Sequence, residues 1–244
     1  MELSKKEVKK IILVAFIAAF VLTFDEWGIE SFDLIFGLRN LMLVFIFTII
    51  IYFCHAIAQK LTAEYFDHGV EFDIYSITKR INEVRRSITI PLGPIITLLF
   101  TIATQGKLFL LILNTFNELP DKVSRLGRKW TNIKEFEIAQ IALSGPLSQI
   151  ILLMVFKILS PISDVFYQGI YTVSTIAIFN MLPIPKIDGI KIFSGSRTLY
   201  ITSLIFIILF VLLVFNISVI QTFIISLILS LISGLVYFYK LKAK

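Results

Sequence analysis

The sequence is poor in charged residues and in cysteine, and each scarcity narrows what the chain can be. A single cysteine in 244 residues excludes an internal disulfide. Only 16% of the residues are charged, whereas soluble globular domains carry roughly 25%. With 57% hydrophobic residues, the composition argues against a soluble domain and predicts an integral membrane protein.

Long uncharged runs fill most of the sequence, and runs of about 20 residues match the thickness of a bilayer. The last run spans residues 198–239 and is long enough for two crossings, with a turn near Asn216. The others are residues 11–24 (extending towards residue 27), 41–59, 87–106, 138–156 and 165–185. The pattern predicts an all-α polytopic membrane protein with about six to seven transmembrane segments. We expect a single membrane-embedded domain of residues 1–244.

The run at residues 87–106 is interrupted early by Pro91, Gly93 and Pro94. Charge counting puts both ends of residues 87–120 on the cytoplasmic side, so this stretch cannot cross an odd number of times. It is either re-entrant, or it crosses and returns through residues 107–114 after a turn at Gln105-Gly106. Residues 108–113 would then be a strand or a buried segment. We therefore expect a re-entrant or short β element between residues 87 and 120.

Lysine and arginine positions predict the orientation. Both termini are basic, so both are expected to be cytoplasmic. Asp25 follows the first run without a small-residue cleavage pattern, so an uncleaved first span is expected rather than a signal peptide. The net charge of +6 does not indicate nucleic-acid binding, because the basic residues form short clusters beside apolar runs. The basic segment 122–134 is expected to contact anionic lipid headgroups.

Three features carry candidate chemistry. His55 lies near the cytoplasmic end of the second run, Gly145-Pro146 lies early in the fourth, and residues 180–189 end the fifth. Charge counting places His55 and Asp188 at the same face of the membrane. Ionisable residues inside a membrane are functional candidates by default, so this pair is the first choice for a site.

Residues 180–189, Asn-Met-Leu-Pro-Ile-Pro-Lys-Ile-Asp-Gly, resemble the NxxPxxxxDG motif of site-2 proteases, which are intramembrane zinc metalloproteases. Gly145-Pro146 resembles the glycine–proline pair of the preceding core helix of that family. The resemblance covers residues 41–195, with residues 11–27 and 198–239 as flanking transmembrane segments. It implies that Asp188 is a zinc ligand and that Asn180 holds the substrate or the transition state. The substrate-binding positions that it implies are Asn180, Pro183, Gly145 and Pro146.

The other half of the family site, HExxH, is incomplete. In that motif two histidines four residues apart bind zinc, and the glutamate takes a proton from the metal-bound water. Here His55 is present, but Ala56 replaces the general base and Gln59 replaces the second histidine. A catalytic zinc site needs three protein ligands and a water, whereas His55 and Asp188 supply two. Hydrolysis is not expected, and zinc is expected to be absent or weakly bound.

Three functions remain open. The first is a pseudoprotease that binds transmembrane segments of other proteins, with membrane lipids as further partners. The second is an active intramembrane zinc endopeptidase whose chain here carries inactivating substitutions at Ala56 and Gln59. The third is a transporter or channel component, with the broken run near Pro91 lining a path. Plainer interpretations also exist: Gly145-Pro146 as a packing site between helices, and Asp188-Gly189 as an ordinary turn.

Overall fold

The computed structural model describes residues 3–27, 33–80, 87–119 and 133–242. They form two compact units: one comprises residues 2–53 and 71–117, and the other residues 54–70 and 118–244. The single-domain expectation stays a prediction. The helices in chain order are α1 (Lys5–Leu22), α2 (Leu34–Tyr65), α3 (Leu92–Ala103), α4 (Glu135–Leu159), α5 (Val165–Asn180), α6 (Asp188–Gly195), α7 (Arg197–Val214) and α8 (Val219–Lys242); the strands are β1 (Gly69–Ile74), β2 (Ile77–Arg80), β3 (Ser87–Ile90) and β4 (Asn114–Leu119).

Four of these helices are long and apolar enough to cross a membrane: α2, α4, α7 and α8. Their composition is compatible with an integral membrane protein. The break between α7 and α8 falls after Val214 and before Val219, so the turn predicted near Asn216 is confirmed. The basic segment predicted to contact lipid headgroups lies almost wholly outside the described residues.

The prediction of six to seven spans is too high for the described part of the chain. A helix rises about 1.5 Å per residue, and the hydrocarbon core is about 30 Å thick. α3 has 12 residues and α5 has 16, and five of the first six residues of α1 are charged. The sequence suggested longer spans because apolar residues continue beyond the helix ends. The run at 165–185, for example, passes the end of α5 at Asn180 and goes on through Pro183 and Pro185.

The unit of residues 2–53 and 71–117 contains the broken run. β2 pairs with β3 antiparallel, with Ile77 opposite Ile90, and α3 follows directly. Thr97 on α3 accepts a hydrogen bond at 3.3 Å from the backbone of Ile112. After α3 the chain turns at Gln105 and Gly106, which have positive φ angles of 53° and 79°. The expected turn and the short β element are present, although β4 begins at residue 114 rather than at 108.

The unit of residues 54–70 and 118–244 contains the end of α2 and the helices α4 to α8. α4 packs against α5 and α6, and α7 packs against α8. Large side chains with less than 2% exposure form its core: Ile141, Leu153, Ile170, Ile176, Met181, Ile187, Ile192 and Phe210. The motif residues at 55–59, 145–146 and 180–189 all belong to this unit, so the candidate site can be described within it.

Candidate functional site

His55 and Asp188 meet inside this unit. The Nε2 atom of His55 lies 3.0 Å from Oδ2 of Asp188, and the two side chains are 0% and 1% exposed. Asp188 is the first residue of α6, where the partial positive charge of a helix N-terminus favours a carboxylate. Lys186, with a φ of 68°, and the extended Ile187 turn the chain into that helix. Asp188 therefore begins a helix and faces an imidazole, rather than lying in a free turn.

Gln59 bonds to the same carboxylate. It lies four residues after His55 on α2, so both side chains project from one face of the helix. Its Nε2 donates to Oδ1 of Asp188 at 3.0 Å, and Gln59 is 2% exposed. Gln59, which stands where the HExxH motif has its second histidine, thus donates a hydrogen bond to Asp188.

Gln149 on α4 contacts the opposite side of the imidazole ring. Its Nε2 lies 3.1 Å from Nδ1 of His55, and its side chain is fully buried. With this amide as the donor, Nδ1 is the accepting nitrogen and a neutral ring carries its proton on Nε2. The Oε1 atom of Gln149 has no hydrogen-bond partner, so rotating the amide would offer His55 an acceptor instead. No role was predicted for Gln149 from the sequence. The feature that could have indicated one is a lone glutamine one turn after Gly145 in an apolar helix.

The 3.0 Å separation of His55 and Asp188 is short, yet Oδ2 of Asp188 has no partner with the alignment of a hydrogen bond. A small rotation of either side chain restores alignment, whereas moving two packed helices apart requires repacking. The contact is therefore a close polar pair with one carboxylate oxygen still able to accept.

Gly145 is required by the position of His55. A Cβ atom at residue 145 would lie 2.6 Å from Nε2 and 2.7 Å from Nδ1 of the imidazole, closer than real Cβ atoms approach other atoms. The helix-packing interpretation of Gly145-Pro146 thus gains a physical reason, because the absent side chain makes room for a ring from α2. Pro146 lies inside α4 and is buried.

Asn180 and Pro183 lie differently from these residues. Asn180 is the last residue of α5 and is 2% exposed, but its Nδ2 atom has no hydrogen-bond partner. An unpaired buried amide donor costs about 1–3 kcal/mol, so Asn180 is a polar group that the described residues leave unsatisfied. Pro183 is exposed in the connection between α5 and α6.

Lys191 lies on α6, one turn after Asp188. Burial lowers the pKa of Lys191 to about 8, although the negative charges of Asp188 and Glu118 act to raise it. The lysine therefore still carries its positive charge at neutral pH, close to the carboxylate end of the site.

The side chains present do not fit a catalytic zinc ion. Within the described residues, no group of three or more histidine, cysteine, aspartate and glutamate side chains converges. His55 and Asp188 supply two ligands, and the third position holds an amide whose nitrogen faces the carboxylate. Ala56, at the position of the general base, is buried and has no group that accepts a proton. Glu64 is exposed and does not replace it. The arrangement connects α2, α4 and α6 through polar contacts.

No family model matches the chain, and neither a curated protein nor a solved structure matches it. The resemblance to site-2 proteases therefore stays a prediction from the sequence motifs.

Proposed function

We propose that the chain is a multi-pass membrane protein of the site-2 protease type that works without zinc and binds transmembrane segments of other proteins. One observation carries this proposal. His55 and Asp188, which the two family motifs mark from distant parts of the sequence, meet at 3.0 Å in a buried site. The two residues pair at the positions that both motifs mark, which supports the resemblance.

The same geometry supports a role other than hydrolysis. The Gln59 amide donates to Asp188, and Ala56 stands where a base is needed. With these groups a metal-bound hydroxide is neither held nor generated. The site instead ties the end of α2 to α4 and α6 and keeps the fold that surrounds it.

Client binding is supported by the buried end of α5. Asn180 offers an unpaired Nδ2 donor, and inside a membrane an unpaired polar group gains much from a partner. A client helix that is locally unwound presents backbone carbonyls, which are suitable acceptors. We further propose that both termini are cytoplasmic, as the flanking lysines favour.

Site-specific crosslinking tests client binding. The chain and a panel of single-span peptides are reconstituted in lipid vesicles, with a photoreactive side chain at exposed Pro183. We expect peptide crosslinks from Pro183 that fall several-fold when Asn180→Ala is added. Ile162, which is 77% exposed in the connection between α4 and α5, is the control position. Equal crosslinking from Pro183 and Ile162, unaffected by the alanine, would contradict the proposal.

The second candidate function is that of an active protease whose chain carries substitutions at Ala56 and Gln59. The contact between Gln59 and Asp188 is the observation that favours it. Gln59 already reaches the carboxylate, so a histidine at position 59 would face the same point as His55. The double variant Ala56→Glu, Gln59→His separates the candidates. Zinc binding with cleavage of a transmembrane substrate supports the altered protease, whereas zinc binding without cleavage supports the pseudoprotease.

A further inference from the structure

Helix α1 has one exposed face and one buried face. Lys5, Lys9, Ile12 and Phe16 follow one another at steps of three or four residues, so they share one side of the helix. All four are exposed. The opposite side is buried, and its residues include Glu7, Ile11, Val14 and Ala18. The exposed face of α1 is therefore the side that is open to a partner.

Polar contacts fix the buried face of α1 to strand β1, within the unit of residues 2–53 and 71–117. Oε1 of Glu7 accepts a hydrogen bond of 3.0 Å from the backbone N–H of Phe72. Nζ of Lys10 lies 3.2 Å from Oε1 of Glu71 and 2.9 Å from Oδ1 of Asp73. These contacts set the rotation of α1 about its axis and keep the exposed face turned outwards.

The exposed face carries positive charge that the protein does not neutralise. Among the residues that the structure describes, Lys5, Lys6 and Lys9 have no acidic partner. Like charges four residues apart repel each other on a helix, so Lys5 and Lys9 both gain from an anion between them. Ser4 and Glu7 form a capping box that satisfies N–H groups of the first turn, so the attraction for an anion comes from the lysine side chains.

Along the axis of this face, charge gives way to apolar surface. Ile12 and Phe16 are 45% and 47% exposed. The rise from Lys5 to Phe16 is about 16 Å, close to half of the roughly 30 Å hydrocarbon core of a bilayer. A helix that lies flat on a membrane has its lysines and its apolar side chains on opposite faces, whereas α1 has both on one face at different heights. An acidic peptide or a nucleic acid would leave the apolar part uncovered, but a molecule with an anionic head and a hydrocarbon tail covers the whole face.

We propose that the exposed face of α1 binds an anionic phospholipid, with the phosphate between Lys5 and Lys9 and one acyl chain along Ile12 and Phe16. Basic residues beside apolar helical segments attract anionic lipids. Phe45 of α2 packs edge-on against Phe16, with ring centres 5.8 Å apart, and widens the apolar part of the surface. The bound lipid holds the N-terminal end of α1 at the level of the headgroups. This proposal is independent of the client binding proposed above.

Site-specific photocrosslinking in vesicles tests the proposal. The full chain, with a photoreactive side chain at Ile12, is reconstituted in phosphatidylcholine that contains a minority of phosphatidylglycerol. The lipids that become attached are identified by mass spectrometry. We expect phosphatidylglycerol among them at several times its share of the bilayer. Leu231, which is 52% exposed on α8, is the control position, where the attached lipids should follow the bulk composition.

Charge variants test the role of the lysines. The pair Lys5→Gln, Lys9→Gln should bring the lipids attached at Ile12 to the bulk composition, because each lysine contributes roughly fivefold to the affinity for an anionic surface. Both lysines are exposed, so the variant should fold like the unaltered chain. The pair Lys5→Arg, Lys9→Arg keeps the charge and should keep the enrichment. Lys10→Gln is the matched control and should also keep it, because Lys10 already has two acidic partners.

Three results would overturn the proposal. The first is attachment at Ile12 that follows the bulk composition in the unaltered chain. The second is an enrichment that falls as far for Lys10→Gln as for the pair Lys5→Gln, Lys9→Gln. The third is attachment at Ile12 to an added acidic peptide in preference to phospholipid.

Discussion

Replacing Asp188 by alanine should destabilise the fold through the loss of one buried carboxylate. Asp188 is fully buried and contacts His55 and Gln59 at 3.0 Å each. The variant leaves the Gln59 amide without this acceptor and the imidazole without its carboxylate neighbour. An unsatisfied buried donor costs about 1–3 kcal/mol, and the change deprives two buried side chains, Gln59 and His55, of this acceptor. We expect a loss of about 3 kcal/mol, which lowers the folded-to-unfolded ratio more than a hundredfold.

Denaturant unfolding in detergent measures this loss, and Cys54 provides a local probe. Cys54 precedes His55 on α2 and is partly buried, so its labelling by a thiol reagent should accelerate when the site opens. Asp188→Asn keeps an oxygen that accepts from Gln59, so it should cost clearly less. Asp164→Ala is the matched control, because Asp164 is exposed and its side chain caps no helix. A loss as small for Asp188→Ala as for Asp164→Ala would refute the reasoning.

Three other variants test neighbouring parts of the unit. Gly145→Ala places a methyl group against the His55 ring and should cost about 1–3 kcal/mol in the same unfolding assay; an unchanged midpoint would show that the ring moves freely. Gln149→Leu removes the amide that contacts Nδ1 of His55 and should cost about 1–3 kcal/mol in the same assay. For Lys191, the pKa is about 8 when folded and 10.5 when unfolded, so the unfolded chain binds more protons between these values. Stability should rise as the pH rises from about 8 to about 10.5, and Lys191→Met should abolish that rise.

The sequence predicted the site best at residue types that are rarely found inside apolar runs. A histidine and an aspartate in apolar runs are costly unless paired, so placing His55 and Asp188 at one membrane face led to the pair that the structure brings together. The role of Gln149 was not predicted, because a buried glutamine occurs in many structural settings and this one belongs to neither motif. Its contact with His55 depends on how α2 and α4 pack, and no local pattern encodes that packing.

Helix ends and short strands were harder to predict. The number of spans was overestimated because hydropathy continues through residues that turn, such as Pro183 and Pro185. β1 was missed although its pattern was present: Val70 and Phe72 are buried and alternate with Glu71 and Asp73. Alternation of this kind is typical of a strand with one buried face.

The zinc content of the purified chain and of its Gln59→His variant tests the central claim most directly. Our account predicts no stoichiometric zinc in the unaltered chain, because His55 and Asp188 are two ligands and Gln59 donates to the carboxylate. A histidine at position 59 completes three ligands, so the variant should bind zinc tightly and become more resistant to unfolding when zinc is added. Tightly held stoichiometric zinc in the unaltered chain, or no zinc in the variant, would contradict the account.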